Sequence, residues 1–324
     1  MKCCIRSISG GKKLPLILLV TIEDNNNLGN RLQHYATQKK IQSLGYTVDS
    51  LMIKRPVSLK RELLKKFILT ILVNIGFQRY RPSLSRSARR TKNIIFNKRY
   101  ISRTLRMTYG QLKNNDWSDY KFAVTGSDQV WHNWHNRDIT DELTYYYLQF
   151  IEKKKRVSYA PSFGFSSFPE EDLEAHRSGL MGMSALSCRE HDGCKLIKEL
   201  TGRKAKKVLD PTLLLTQKEW EEIESKPKFK SPERFLLQFF LGDVKEEFQQ
   251  EIKRICDERG LEILNVNDKS DPTHFAISPS EFVWLIHHAD TVCTDSFHAS
   301  AFSITFERFV GTFRIVRVSI WQGK

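Results

Sequence analysis

The stretch that decides the fold is residues 14–53, LPLILLVTIEDNNNLGNRLQHYATQKKIQSLGYTVDSLMI. Leu14 to Ile22 is a short, unbroken apolar run, which reads as a strand buried on both faces. Asn25 to Gly29 is a polar turn. From Arg31 to Leu44 the apolar residues Leu32, Tyr35, Ala36, Ile41 and Leu44 recur at helical spacing, and Gly45 stands where a helix ends. Tyr46 to Ile53 is a second strand. A strand–helix–strand unit of this length implies parallel pairing, because the crossover must return the chain to the same edge.

The alternation continues outward. Lys121 to Thr125, Arg156 to Ala160, Ala185 to Cys188 and Lys206 to Leu209 read as further strands, with helices over Glu170 to Ser178 and His191 to Leu200. Glu224 to Arg234 (ESKPKFKSPER) is charged, holds two prolines and reads as a linker. Beyond it a second alternation begins. Strands are expected at Phe235 to Leu241, Leu261 to Val266, Thr291 to Thr294 and Phe309 to Phe313, with helices at Glu246 to Arg259, Ser280 to His288 and Ser296 to Phe306. The expectation is α/β throughout: two Rossmann-like domains, 1–224 and 225–324, facing each other across a cleft at the carboxyl ends of their strands.

Composition agrees. The 324 residues are 40% hydrophobic and 27% charged, an ordinary globular profile that excludes a disordered or collagenous chain. Six cysteines, Cys3 and Cys4 adjacent and the other four scattered, form no Cys-x-x-Cys pair and read as reduced thiols. No apolar run reaches the roughly 18 residues of a membrane span, and the first strand lacks the small-residue cleavage site of a secretory signal, so a cytoplasmic location is expected.

The net charge of +15 is local. Residues 54–106 hold 16 Lys and Arg and one acid, Glu62, and the rest of the chain is neutral. Inside that basic helical insertion (about 54–110), Phe67 to Phe77 (FILTILVNIGF) is apolar and bracketed by Lys65, Lys66, Arg79 and Arg81. Such a segment packs its apolar side on the domain, or meets a polyanionic glycan or an anionic membrane surface, where each cation contributes about 1 kcal/mol. No helix-turn-helix, zinc-finger or RNP-like motif accompanies it, which argues against nucleic acid.

Four polar clusters fall at strand-to-helix junctions: Asn25 to Gln33, Gly126 to Trp131, Arg189-Glu190, and Asp295 to His298. Helix N-termini there favour anions, and Asp295 and Ser296 are also ordinary N-cap residues. His132-x-x-His135 lacks a third ligand, His287-His288 reads as a solvated pair on a helix, and no metal is expected. Walker A, G-x-G-x-x-G, H-E-x-x-H and G-x-S-x-G patterns are missing from the sequence.

Taken in order, these clusters make the chain resemble the polysaccharide pyruvyl transferase family. The matching stretches are Gly29-Asn30-Arg31-Leu32-Gln33 with Tyr35-Ala36, Gly126-Ser127-Asp128-Gln129-Val130-Trp131, Tyr159 to Gly164, Ser187-Cys188-Arg189-Glu190, Leu209-Asp210-Pro211, and Thr294-Asp295-Ser296-Phe297-His298. The resemblance implies a glycosyltransferase-B-like pair of domains. It also implies transfer of a pyruvyl group from phosphoenolpyruvate, with no further cofactor, to a sugar or lipid-linked glycan acceptor of a bacterial surface polysaccharide. On that pattern His298 and Asp128 are the catalytic candidates. Arg189, Asp295 and Ser296 fall on the donor side, and Asn30, Arg31, Gln33, Ser127 and Gln129 on the acceptor side. The basic segment would then hold the protein at the inner face of a membrane. Two departures accompany the resemblance. Ser296 stands where better-characterised members carry an arginine, and Arg314 to Lys324 matches nothing in the family, so the C-terminal domain reads as truncated. The alternatives are a glycosyltransferase-like enzyme on the same frame and a non-catalytic glycan- or membrane-binding protein.

Overall fold

The structure, a computed structural model, describes residues 14–53, 58–132, 139–168 and 170–312. The chain begins β1 (Leu16–Val20), α1 (Leu28–Ser43) and β2 (Thr47–Ile53), followed by α2 (Leu59–Asn74), α3 (Arg81–Tyr100), β3 (Thr104–Met107) and α4 (Tyr109–Asn114). It continues through β4 (Tyr120–Thr125), α5 (Ile139–Tyr146), β5 (Arg156–Ser158), α6 (Leu173–Met181), β6 (Ser187–Cys188), α7 (His191–Thr201), β7 (Lys206–Lys207) and α8 (Gln217–Glu221). The second half comprises β8 (Phe235–Phe239), α9 (Glu246–Arg259), β9 (Glu262–Asn265), α10 (Pro272–Phe275), α11 (Pro279–His288), β10 (Thr291–Thr294), α12 (Phe297–Thr305) and β11 (Phe309–Thr312).

All the ladders are parallel. The first sheet runs β3-β2-β1-β4-β5, and a bridge from Val157 to Ala185 sets the β6-β7 pair beside β5. The second runs β11-β10-β8-β9. Parallel order sends every strand's carboxyl end to the same edge of its sheet, so the polar loops gather there. The apolar run of β1 lies between β2 and β4 and is almost wholly buried, as a central parallel strand must be.

The halves do not merely face each other. α1 starts at Leu28, three residues earlier than its apolar spacing predicts, because the Asn27 side chain accepts a hydrogen bond from the Asn30 N–H and caps it. Residues 28–38 of this helix are all buried, which a surface helix would not be. One apolar cluster joins Leu28, Leu32 and Tyr35 of α1 to Trp220, Phe282 and Phe302. The expected cleft is therefore closed along an α1–α12 seam and polar only at the strand ends.

The insertion also differs from expectation. It is helical over α2 and α3, but Thr104–Met107 pairs with β2 as an edge strand. α3 is not solvated: Arg89 donates to the Phe275 and Val266 carbonyls at 2.8 and 2.7 Å and to Asn267 Oδ1 at 2.8 Å, and Lys92 pairs with Glu281 at 2.7 Å. This helix ties the first half to the second. β6 and β7 are two residues each, shorter than the runs predict, because few backbone groups find partners at that edge.

Candidate active site at the seam

Asp210 is the centre of the polar cluster. Its Oδ1 accepts from the Thr212 N–H at 3.0 Å and the Thr212 hydroxyl at 2.8 Å. Its Oδ2 accepts from the Ser127 hydroxyl at 2.7 Å and from Arg189 Nη1 at 2.9 Å. His298 Nε2 lies 4.0 Å from Asp210 Oδ1. Burial alone would raise the Asp210 pKa, but His298, Arg189, the Thr212 N–H and the Ser127 O–H together hold it below the ordinary value.

Each partner arrives on a loop after a parallel strand. Ser127 and Asp128 follow β4, Arg189 follows β6, Asp210 follows β7, and His298 lies in the first turn of α12, after β10. Gly126 permits the β4 turn, since it has φ +120° and a Cβ there would stand 2.0 Å from the Tyr159 carbonyl oxygen. Asp128 Oδ2 accepts from Asn30 Nδ2 at 2.9 Å, and its Oδ1 lies 3.7 Å from Arg189 Nη2.

Arg189 is not a free cation. Besides Asp210 it donates from Nε to Glu190 Oε1 at 2.6 Å, and its guanidinium stacks over the Phe297 ring at 4.9 Å. Burial opposes its charge, but Asp128, Asp210 and Glu190 outweigh that and raise its pKa. His298 is nearly buried. Burial pushes its pKa below 6.5 against Asp210 and Asp128, with Arg189 adding to the fall, and its Nε2 has no hydrogen-bond partner among the described residues. The ring is thus neutral at pH 7 and keeps one buried nitrogen unpaired among the described residues.

The remaining expected site residues divide. Asn30 and Ser127 touch the cluster. Arg31 is wholly buried, donates to the Ile22 carbonyl and to Asn30 Oδ1, and reaches Asn97 Oδ1 at 3.5 Å. Gln33 is also buried, donating to Thr21 Oγ1 at 2.7 Å and accepting from the Ser127 N–H at 3.2 Å. Both brace loops from inside. Gln129 packs against Gly164. Asp295 accepts from the Leu241 N–H at 2.7 Å, and Ser296 caps α12 through the Ala299 N–H at 3.4 Å.

A polar cavity of about 550 Å³ is lined among others by Glu23, Asp24, Arg90, Asn97, Lys98 and Arg106, and by no member of the Asp210 cluster. The Asp24 N–H donates to Asn30 Oδ1 at 3.1 Å, so the cavity wall and the cluster are joined through Asn30. Arg106 holds Glu23 through two bonds, at 2.7 and 2.9 Å. Sequence reasoning missed this cavity, because most of its walls come from the basic segment. It also passed over Asp210 as a site residue, although Leu209-Asp210-Pro211 was visible as a motif.

His135 lies outside the described residues, and His132 Nδ1 pairs with the Phe163 carbonyl at 2.8 Å. His287 is not solvated: it stacks on Phe306 at 4.5 Å and binds Glu224 at 2.9 Å. With His288 these residues form a trio of possible metal ligands within 4.8 Å of one another, on a helix end apart from the Asp210 cluster.

Two parallel α/β halves packed against each other define a glycosyltransferase-B-like fold. A protein of Listeria monocytogenes assigned as a UDP-N-acetylglucosamine 2-epimerase has the same architecture, with TM-score 0.50 and 8% identity over 91% of this chain and 78% of that one. Weaker likenesses are to a UDP-N-acetylglucosamine 2-epimerase of Rickettsia bellii (TM-score 0.40, 7% identity, 93% and 80% covered) and to the E. coli heptosyltransferase WaaC (TM-score 0.35, 9% identity, 91% and 87% covered). None of the curated proteins matches the chain. The model of the family described as polysaccharide pyruvyl transferase matches residues 27–308. The chain belongs to that family and is a transferase of polysaccharide synthesis.

Proposed function

We propose that this protein moves a pyruvyl group from phosphoenolpyruvate onto two hydroxyls of a sugar in a bacterial surface glycan. One hydroxyl proton ends on the methylene carbon, which becomes the methyl group. The other leaves with inorganic phosphate, and the central carbon becomes a ketal. Beyond family membership, the observation that carries the reading is Asp210 gathering Ser127, Arg189 and His298 from separate loops at the seam.

Asp128, which accepts a hydrogen bond from Asn30, takes the acceptor hydroxyl proton in this reading. His298, neutral and with its buried Nε2 unpaired among the described residues, accepts a proton and returns it to the methylene carbon once the donor is bound against it. Phosphoenolpyruvate is anionic at both ends, whereas three carboxylates surround Arg189. Glu190 is the exchangeable one: its side chain is 40% exposed, whereas that of Asp210 is fully buried. The donor carboxylate takes Glu190's place on the guanidinium, and the N-terminus of α12 adds partial positive charge where Ser296 replaces the family arginine. Gln129 faces the acceptor, while Ser127, bonded to Asp210, joins Arg31 and Gln33 in positioning the loops. The reading includes a cytoplasmic enzyme at the inner membrane face, where glycan intermediates are built.

The test is phosphate release from phosphoenolpyruvate with a glycan acceptor. Asp210→Asn keeps the Thr212 contacts but removes the carboxylate charge beside Arg189 and His298, and is expected to cut kcat at least about 100-fold. Turnover of a nucleotide sugar without any of phosphoenolpyruvate would overturn the reading.

A further inference from the structure

α2 is amphipathic in the wrong sense. At 100° per residue, Leu64, Phe67, Ile68, Ile71 and Ile75 fall on one side of the helix. That side faces solvent: Phe67 is 63% exposed, Ile75 65% and Leu64 59%. The opposite side rests on α3 and buries only Glu62 and Leu69. Single exposed apolar residues are ordinary, but a contiguous stripe over three turns marks a surface that is covered in use.

Charge identifies the cover. Lys60, Arg61, Lys65 and Lys66 lie on the same helix, and Arg79 and Arg81 stand just past its end. A second copy of the chain would bring like charges together, which opposes pairing through this face. An anionic bilayer satisfies both features, accepting apolar side chains below its headgroups and cations among them. No helix among the described residues is long and apolar enough to cross a membrane, so α2 can only lie in the interface.

We infer that α2 is a membrane-inserting helix, laid flat in an anionic bilayer with Leu64, Phe67, Ile68, Ile71 and Ile75 in the acyl boundary. Its support, α3, reaches the site through Asn97, which donates to Asn25 Oδ1 at 3.0 Å and approaches Arg31. The helix in the bilayer and the cluster that meets the acceptor are thus one packed unit. This deepens the reading of a membrane-borne glycan acceptor, on which it rests.

The experiment is flotation of the full chain with phosphatidylglycerol–phosphatidylcholine vesicles, beside pure phosphatidylcholine. The triple variant Leu64→Ser, Ile68→Ser, Ile71→Ser is expected to lose at least about tenfold in partitioning to anionic vesicles. Its turnover of a water-soluble acceptor should stay within about twofold of the parent, since no site residue is touched. A second variant, Phe67→Trp, should gain an emission, read by difference from the parent, that shifts to the blue when vesicles are added. Unchanged flotation of the triple variant, or an added emission in Phe67→Trp that vesicles leave in place, overturns the proposal. So does a parent that is dimeric where the triple variant is monomeric. Flotation that depends on the stripe, without pyruvyl transfer to any acceptor, would refute the catalytic reading and leave this one standing.

Discussion

The imidazole of His298 rests on the α1 backbone at Gly29: a Cβ at residue 29 would stand 2.4 Å from His298 Nδ1 and 2.8 Å from His298 Cβ. One residue belongs to each half, so this contact fixes how closely the halves approach at the site. Because the crowded atoms include the root of the side chain, no change of rotamer relieves the clash. Gly29→Ala in a free helix would be favourable by about 1 kcal/mol. Here the opposite is expected: a lower melting temperature and a loss of at least about tenfold in phosphate release, as a shift of roughly 1 Å at the reacting groups produces. A variant as stable and as active as the parent would show that the seam yields freely.

Arg89 makes the second link between the halves. Buried on α3, it stacks 3.5 Å from the Phe275 ring centroid and gives its donors to three acceptors of the second half. Arg89→Ala leaves those acceptors unpaired in a dry seam and is expected to cost about 3–5 kcal/mol. Arg89→Lys should recover less than half of that, because a point ammonium cannot serve three divergent acceptors as the planar fork does. Urea unfolding followed by tryptophan fluorescence reads both variants. A loss below about 1 kcal/mol for the alanine variant would mean that α3 merely touches the second half.

Much of this architecture is legible in the chain, and the failures share a cause. β1, α1 and β2 declare themselves because periodicity and turn chemistry act over a few residues. The ends of β6 and β7 do not, since pairing at an edge depends on distant partners. Asp210 reads locally as a turn residue before Pro211, and nothing nearby tells that its other oxygen holds Ser127 and Arg189. Arg89 looks like one more cation of a solvated helix, because its acceptors lie more than 170 residues away. For α2 the sequence displays the apolar stripe but not its direction, which is set by what α3 leaves uncovered.

Acid sensitivity is expected from His176. Its Nδ1 meets the Tyr147 hydroxyl at 2.7 Å within a group of aromatic rings including Phe163, Phe165 and Phe168. Burial pushes this imidazole from 6.5 down to about 4. The unfolded chain therefore takes up a proton below about pH 6.5 that the folded chain refuses until about pH 4, so stability falls as pH drops through that window. At about 1.4 kcal/mol per pH unit, the loss approaches about 3 kcal/mol. His34 and His298 are lowered as well and act in the same direction, with Asp210 and Asp128 moderating His298. His176→Gln keeps a partner for Tyr147 but cannot titrate. Its stability at pH 7 should be no higher than the parent's, and its decline toward pH 4.5 should be shallower by about 2 kcal/mol. Carboxylates titrating in the same range contribute equally to both proteins, so the difference in slope isolates one ring. Parallel declines would mean that the His176 proton is taken up equally by the folded and unfolded chains, and that its burial does not set the acid limit of this fold.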